Sequence, residues 1–169
     1  MTKQSQTSSK PAVLIERSYR ATAAELWALW TTKDGFESWW GPEGFRVEVH
    51  EIEPRLGGAL VYDMIADAPE QIAAMQQAGM PVAHGTHGTF TELVMHERIK
   101  LTHIIDFIPG IAPYENNIVV SFVPEGGQIR MAVHIDPHIT DEWTARSVEG
   151  FTSQLQKLPA ALERARAAR

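Results

Sequence analysis

The sequence contains no cysteine and no long apolar run. Because none of its 169 residues is Cys, disulfides, thiolate nucleophiles and cysteine-ligated metals are excluded. No apolar segment approaches the roughly 18 residues that cross a bilayer. The polar start of the chain also has no apolar core typical of a signal peptide. These absences predict a cytoplasmic protein that does not associate with membranes.

Positive charge is also scarce. Lys and Arg number 15 against 21 Asp and Glu, which gives a formal net charge of −6. Nucleic acids and anionic membranes select basic surfaces, so neither is predicted as a partner. A phosphate-binding loop, a dinucleotide fingerprint and a serine flanked by glycines are missing too. The sequence therefore predicts no cofactor, and it favours a binding role over catalysis without deciding between them.

Seven histidines raise the question of a metal site. His84 and His87 are three apart on a predicted strand, a spacing that sends their side chains to opposite faces. His134 and His138 are four apart, but Pro137 breaks any helix between them. No metal site is predicted.

The first third of the chain predicts one strand followed by two short helices. Val13 to Tyr19 is strand-like. Thr22 and Glu25 have the spacing of a reciprocal N-terminal helix cap, and Asp34 and Glu37 repeat it. Two short helices in succession are therefore expected.

An antiparallel meander and one long helix follow. Alternating apolar and polar residues predict strands that start near residues 45 and 60 and others at 84–95, 98–107, 115–124 and 128–136. The last helix, predicted over 141–168, begins at the capping residue Thr140, and Pro159 should kink or shorten it. Gly150 in its middle costs about 1 kcal/mol relative to alanine. Close packing against the sheet or space beside Phe151 could offset that cost.

This order of elements predicts an α+β fold, in which a curved antiparallel sheet wraps around the C-terminal helix. Residues 1–11 are predicted to form a disordered leader and residues 12–169 a single domain. Residues 67–82 interrupt the meander, and Pro69 could open a short helix there. The insertion is interpreted as a surface excursion, with a lid or a dimer contact as the alternatives.

Several motifs suggest a family. The chain contains Trp39-Trp40-Gly41-Pro42-Glu43-Gly44-Phe45, Arg55-Leu56-Gly57-Gly58, Gly88-Thr89-Phe90-Thr91-Glu92-Leu93 and Glu149-Gly150-Phe151. With these motifs it resembles the START-like (SRPBCC) superfamily and its helix-grip fold. Within that superfamily it is most similar to the heat-shock protein 90 ATPase activator homologue family. The resemblance extends over residues 13–160.

The resemblance implies a cavity between the final helix and the concave sheet that binds small apolar or amphipathic molecules. His103 shares a strand face with Leu101 and Ile105, and Glu92 follows Phe90 by two residues, so His103 and Glu92 are interpreted as polar markers of this pocket. The predicted ligand-binding residues are Tyr62, Met64, Phe90, Glu92, His103, Ile105, Phe122, Trp143 and Phe151.

Two other functions stay open. The family name implies action on a chaperone ATPase, and an exposed apolar patch at Met75, Met80 and Val82 would favour such a protein partner. The superfamily also includes cyclase-type and hydratase-type enzymes, which would need His103 or Glu92 inside the cavity. Homodimerisation through the insertion or a sheet edge is a further expectation.

Overall fold

The computed structural model describes residues 10–168, so most of the predicted leader lies outside the described residues. The strands and helices follow one another in the order β1 (Val13–Tyr19), α1 (Ala23–Thr31), α2 (Lys33–Trp39), β2 (Phe45–Ile52), β3 (Ala59–Ala66), α3 (Pro69–Gln77), β4 (Ala83–Val94), β5 (Arg98–Ile105), β6 (Tyr114–Glu125), β7 (Gln128–Ile135), α4 (Asp141–Leu155) and α5 (Leu158–Ala167).

The seven strands form one curled antiparallel sheet in the order β1-β7-β6-β5-β4-β3-β2. Each strand from β2 to β6 pairs with the next along the chain, and β1 forms the far edge by pairing with β7. Residues of α1, α2, α4 and α5 share one hydrophobic core with the sheet. The predicted α+β fold, with two short helices after the first strand and a long C-terminal helical segment, is confirmed.

The caps explain where the two short helices begin. Thr22 Oγ1 accepts the Glu25 N–H, and Glu25 Oε1 accepts the Thr22 N–H, as predicted. The predicted cap at Asp34 is wrong, because α2 begins at Lys33 and Thr32 Oγ1 accepts the Gly35 N–H.

The C-terminal helix breaks where Pro159 requires it. Regular α4 ends at Leu155, and α5 begins at Leu158 with Pro159 in its first turn, where the missing proline N–H costs no hydrogen bond. The hydroxyl of Thr140 caps α4 by accepting the Trp143 N–H at 3.1 Å. A methyl group on Gly150 would meet only Pro42 Cγ, at 4.0 Å, so close packing does not explain this glycine.

One end of the concave face is filled by an aromatic cluster, which comprises Trp30, Phe36, Trp39, Trp40 and Phe151. Trp30 and Trp39 are fully buried with ring centroids 5.2 Å apart, and the Trp39 indole N–H donates to Leu29 O at 2.9 Å. The tandem tryptophans thus join α1, α2 and α4 in one core.

The predicted insertion leaves the sheet at the far end of β3 and returns at β4. It contains α3, none of whose residues is buried. The N–H groups of Asp67 and Ala68 donate to Gly44 O, which ties the segment to the start of β2. Geometrically it is a surface excursion.

No helix among residues 10–168 is long and apolar enough to cross a membrane.

Candidate functional site

A cavity of about 230 Å³ lies between the first half of α4 and the concave sheet. Its walls come from α4, from strands β3 to β6 and from the segments that follow β5 and β7. The lining residues are Trp40, Tyr62, Met64, His84, Thr86, His103, Ile105, Phe107, Asn116, Ile118, His138, Trp143, Arg146 and Ser147.

The cavity exists because the first half of α4 lies away from the sheet. All buried residues of α4 lie in its last five positions, at Phe151, Gln154 and Leu155. The small side chain of Ser147 faces the sheet in the first half. The C-terminal end of α4 is therefore packed in the core, and its N-terminal half covers the cavity.

Strand pairing places the polar lining residues side by side on the sheet. Tyr62 in β3 pairs with Thr86 in β4, and His103 in β5 pairs with Asn116 in β6. Gly88 of β4 pairs with His103, and a Cβ there would lie 2.5 Å from Thr102 O. Glycine is required at this position because the two backbones approach so closely.

A buried hydrogen-bond chain forms the polar part of the wall. The Trp40 indole Nε1 donates to Tyr62 Oη at 3.1 Å, and Tyr62 Oη lies 3.1 Å from His103 Nε2. An indole N–H can only donate, so the tyrosine hydroxyl accepts from Trp40 and has its own proton free for His103. With the Tyr62 hydroxyl as donor to Nε2, donor and acceptor are matched in both of these hydrogen bonds, and the imidazole proton is left for Nδ1.

Burial keeps Tyr62 and His103, the two titratable groups of this hydrogen-bond chain, uncharged. It lowers the pKa of His103 to about 4, and charge on His87 or His138 would add to this effect. Burial raises the pKa of Tyr62 well above its usual range. At neutral pH, the pair therefore provides fixed hydrogen-bonding groups and not a mobile proton.

Asn116 adds a second oriented polar group. Its Nδ2 donates to Asp136 O at 3.1 Å and to Pro137 O at 3.4 Å. Because both partners are carbonyl oxygens, the nitrogen must face them, and this fixes the orientation of the amide. Oδ1 then has no protein partner among the described residues and remains an acceptor at the cavity wall.

Aromatic and basic side chains surround the opening. Phe107 and Trp143 meet with centroids 6.2 Å apart, and His84 packs against Phe107 at 5.3 Å. Arg146, largely exposed, lies 5.2 Å over the Trp143 ring and donates to Glu142 at 3.1 Å. The positive charge therefore lies at the rim of the cavity and is paired there.

His138 lies at the other side of the opening. Its imidazole Nδ1 lies 2.6 Å from Tyr114 Oη, and its backbone N–H donates to Thr144 Oγ1 at 2.7 Å. Burial lowers the pKa of both His138 and His84, against the opposing effect of nearby aspartates.

The structure brings together five of the nine predicted site residues. Tyr62, Met64, His103, Ile105 and Trp143 line the cavity. Three others lie on the predicted faces but belong to the hydrophobic core and not to the cavity wall: Phe90, Phe122 and Phe151. Alternation predicts the face of a strand correctly, but it does not tell where along that face the interior becomes hollow.

The ninth residue, Glu92, lies outside the cavity, so its predicted inward orientation is wrong. The register shifts between Phe90 and Glu92, so that Phe90 pairs with Leu101 while Glu92 pairs with Lys100. This β-bulge turns Glu92 to the outer face, where it bonds Arg98 Nε at 2.9 Å. A two-residue spacing crosses faces when a bulge intervenes.

Sequence reasoning missed several lining residues. Asn116 and Ile118 have the period-two spacing of an inward face, and so do His84 and Thr86, so these four could have been found. Trp40 enters the sequence analysis only as part of the tandem-tryptophan motif, which does not indicate a cavity. His138 follows a strand in an irregular segment, for which no periodicity exists.

Within residues 10–168, no group of three or more His, Asp or Glu side chains has an arrangement that could hold a metal ion. Although His84, His103 and His138 all line the cavity, His103 uses Nε2 in the hydrogen-bond chain and His138 uses Nδ1 on Tyr114.

Comparison with known families identifies one match. The family model described as "Activator of Hsp90 ATPase homolog 1-like protein" matches residues 20–163. No protein of curated function matches the chain.

Solved structures share the fold. An AHSA1 protein from Silicibacter pomeroyi is 22% identical, with a TM-score of 0.70 over 89% of this chain and 96% of its own. A protein from Chromobacterium violaceum is 23% identical, with a TM-score of 0.68 over 90% and 97%. A protein from Nitrosomonas europaea is 16% identical, with a TM-score of 0.71 over 95% and 99%. At these identities the likeness extends to the fold alone.

Proposed function

Because the chain belongs to the Activator of Hsp90 ATPase homolog 1-like family and has the helix-grip fold, we propose that it reversibly binds a small apolar or amphipathic molecule between α4 and the sheet. The observation that carries this proposal is the cavity itself, whose walls are mostly apolar and contain a few oriented polar groups. Ligand sites commonly have this composition.

The size of the cavity limits the ligand. Its volume of about 230 Å³ exceeds the roughly 150 Å³ of an apolar cavity that holds benzene. It is smaller than the roughly 300–1,000 Å³ typical of drug-sized ligands. A single ring or a short chain fits this space, and a larger ligand would extend through the opening beside Phe107 and Trp143.

Native mass spectrometry of the protein, purified gently from its own cells, tests the proposal. We expect a stoichiometric small molecule that is released on denaturation. In Ser147→Leu the larger side chain should occupy the cavity, so this variant should carry no bound molecule. Ala145→Leu, on the exposed side of the same helix, is the matched control and should retain the molecule.

Two outcomes would contradict the proposal. One is a bare wild-type protein that is also not stabilised by a concentrated small-molecule extract of the same cells. The other is a molecule retained equally by all three proteins, since it would then bind outside the cavity.

Action on a protein partner is the second candidate. Met80 and Val82 of the insertion are 45% and 36% exposed, and the family description names a chaperone ATPase. We expect any stimulation of such an ATPase to be lost in a Met80→Ser, Val82→Ser double variant that still binds ligand. Homodimerisation through the insertion or a sheet edge, and a cytoplasmic location, remain predictions.

A further inference from the structure

His103 and Asn116 present one donor and one acceptor side by side within the cavity wall. They are register partners on β5 and β6, and both are nearly fully buried. Because cross-strand partners on one face lie close together, a single small group can contact both of them.

The donor is determined by the hydrogen-bond chain. The Tyr62 hydroxyl already accepts from Trp40, and His103 Nε2 is the one acceptor for its proton among residues 10–168, which assigns the hydroxyl proton to this bond and the imidazole proton to Nδ1. Nδ1 has no hydrogen-bond partner among residues 10–168, so it is a donor available to a ligand. The acceptor is Asn116 Oδ1, because the amide nitrogen faces the carbonyl oxygens of Asp136 and Pro137.

We propose that the ligand has an uncharged polar head that both donates and accepts, a hydroxyl or a carboxamide, held between His103 Nδ1–H and Asn116 Oδ1. This inference rests on the proposed function and specifies the chemistry of its ligand. Such a head satisfies both orphaned groups, whereas a hydrocarbon leaves them unpaired at a cost in affinity.

Charged heads fit this pair poorly. A carboxylate would place its oxygens against the acceptor Oδ1 of Asn116, and an ammonium group would meet the donor on His103. Burial also keeps His103 neutral, because its pKa is about 4. The one cation in the lining, Arg146, lies at the rim with its side chain 60% exposed and paired with Glu142.

Four ligands with the same ring test the proposal: benzamide, benzyl alcohol, toluene and benzoate. Each is titrated at pH 7 into ¹⁵N-labelled protein, and affinity is measured from amide shifts of cavity residues. We expect benzamide and benzyl alcohol to bind about tenfold more tightly than toluene or benzoate, the equivalent of about 1.4 kcal/mol.

Variants locate the source of that preference. His103→Leu should remove most of the advantage of benzamide over toluene. His87→Leu is the matched control, because His87 is exposed on the neighbouring strand, and it should retain the advantage. Long-range ¹H–¹⁵N spectra of the wild-type protein should show His103 protonated at Nδ1, a result that does not depend on any variant folding.

The failures can be told apart. Equal binding of toluene and benzamide would overturn this inference and leave the proposed function intact. Tighter binding of benzoate would overturn it in favour of recognition by Arg146. A proton on Nε2 of His103 would overturn it without any ligand. If none of the four ligands shifts cavity residues, this inference fails, and native mass spectrometry of the protein from its own cells decides separately about the proposed function.

Discussion

The two halves of α4 meet the rest of the protein in different ways. Near its C-terminal end, Phe151 joins the aromatic cluster, Gln154 Oε1 accepts the Gly41 N–H at 2.8 Å, and Ser153 Oγ accepts the Glu43 N–H at 2.9 Å. The N-terminal half has no buried residue, and the cavity lies beneath it. One end therefore contributes stability, and the other covers the cavity in which we propose that the ligand binds.

This difference teaches how a single helix can serve both purposes. The helix is held in place by its packed end, so the other end can lie away from the sheet without a closely packed interface. Residues of the packed end should govern unfolding, and residues of the hollow end should govern ligand affinity and pH response. The following predictions test that division.

The largest expected effect is at the packed end. Trp39→Ala should lower the free energy of unfolding by about 3–5 kcal/mol, because it removes a fully buried indole and leaves a void. Trp143→Ala, at the opening of the cavity, should lower the free energy of unfolding much less, since Trp143 is only partly buried. Urea denaturation measures both. Equal losses would show that the opening is packed as tightly as the core.

The pH dependence of stability should arise mainly at the hollow end. The pKa of His103 is about 4 in the fold and about 6.5 in an unfolded chain. Between these values the unfolded chain binds a proton that the folded protein does not, so falling pH favours unfolding. Stability should drop by about 2 kcal/mol from pH 7 to pH 5, and the loss should level off below pH 4.

Urea denaturation across that range checks the prediction. His103→Leu should flatten the profile, although His84 and His138 retain a smaller dependence of the same sign. Parallel profiles for wild type and variant would mean that His103 titrates normally in the fold.

A smaller effect is expected at the junction of the two halves. Gly150→Ala should stabilise the protein by about 0.5–1 kcal/mol, because alanine favours the helix and its methyl group has space. Since Gly150 does not line the cavity, ligand affinity should stay unchanged. Thermal unfolding and a ligand titration test both statements, and a loss of affinity would show that this glycine serves the cavity.

The smallest effect is expected on the outer face. Glu92→Gln removes the ion pair between Glu92 and Arg98. The two side chains are 42% and 44% exposed, respectively. Such pairs contribute at most about 1 kcal/mol. Stability should hardly change and ligand affinity should not change. Weaker ligand binding would mean that the bulge does not turn Glu92 away from the cavity.

Local signals explain why most of the fold was predictable. The cap at Thr22, the break at Pro159 and the alternation in the strands each act over a few residues, and each appears in the structure. The α2 cap was misassigned because Thr32 and Asp34 both lie near the helix start and only one of them can cap it.

The site was less predictable because its limits depend on long-range packing. His103 was assigned to the interior by alternation, but its hydroxyl partner on Tyr62 comes from another strand. The bulge that turns Glu92 outward has no marker in the sequence. Phe90 and Tyr62 face the same interior, and only the distance of α4 from the sheet decides which of them meets empty space.

The most direct test of the hollow end is a crystal structure of the protein soaked with 4-bromobenzyl alcohol. The anomalous signal of bromine gives the position of the ligand without reference to any side chain. We expect one peak between the first half of α4 and the sheet, with the hydroxyl near His103 and Asn116. A peak only on the surface, or a cavity that stays empty at saturating ligand, would contradict the assignment of this space as the binding site.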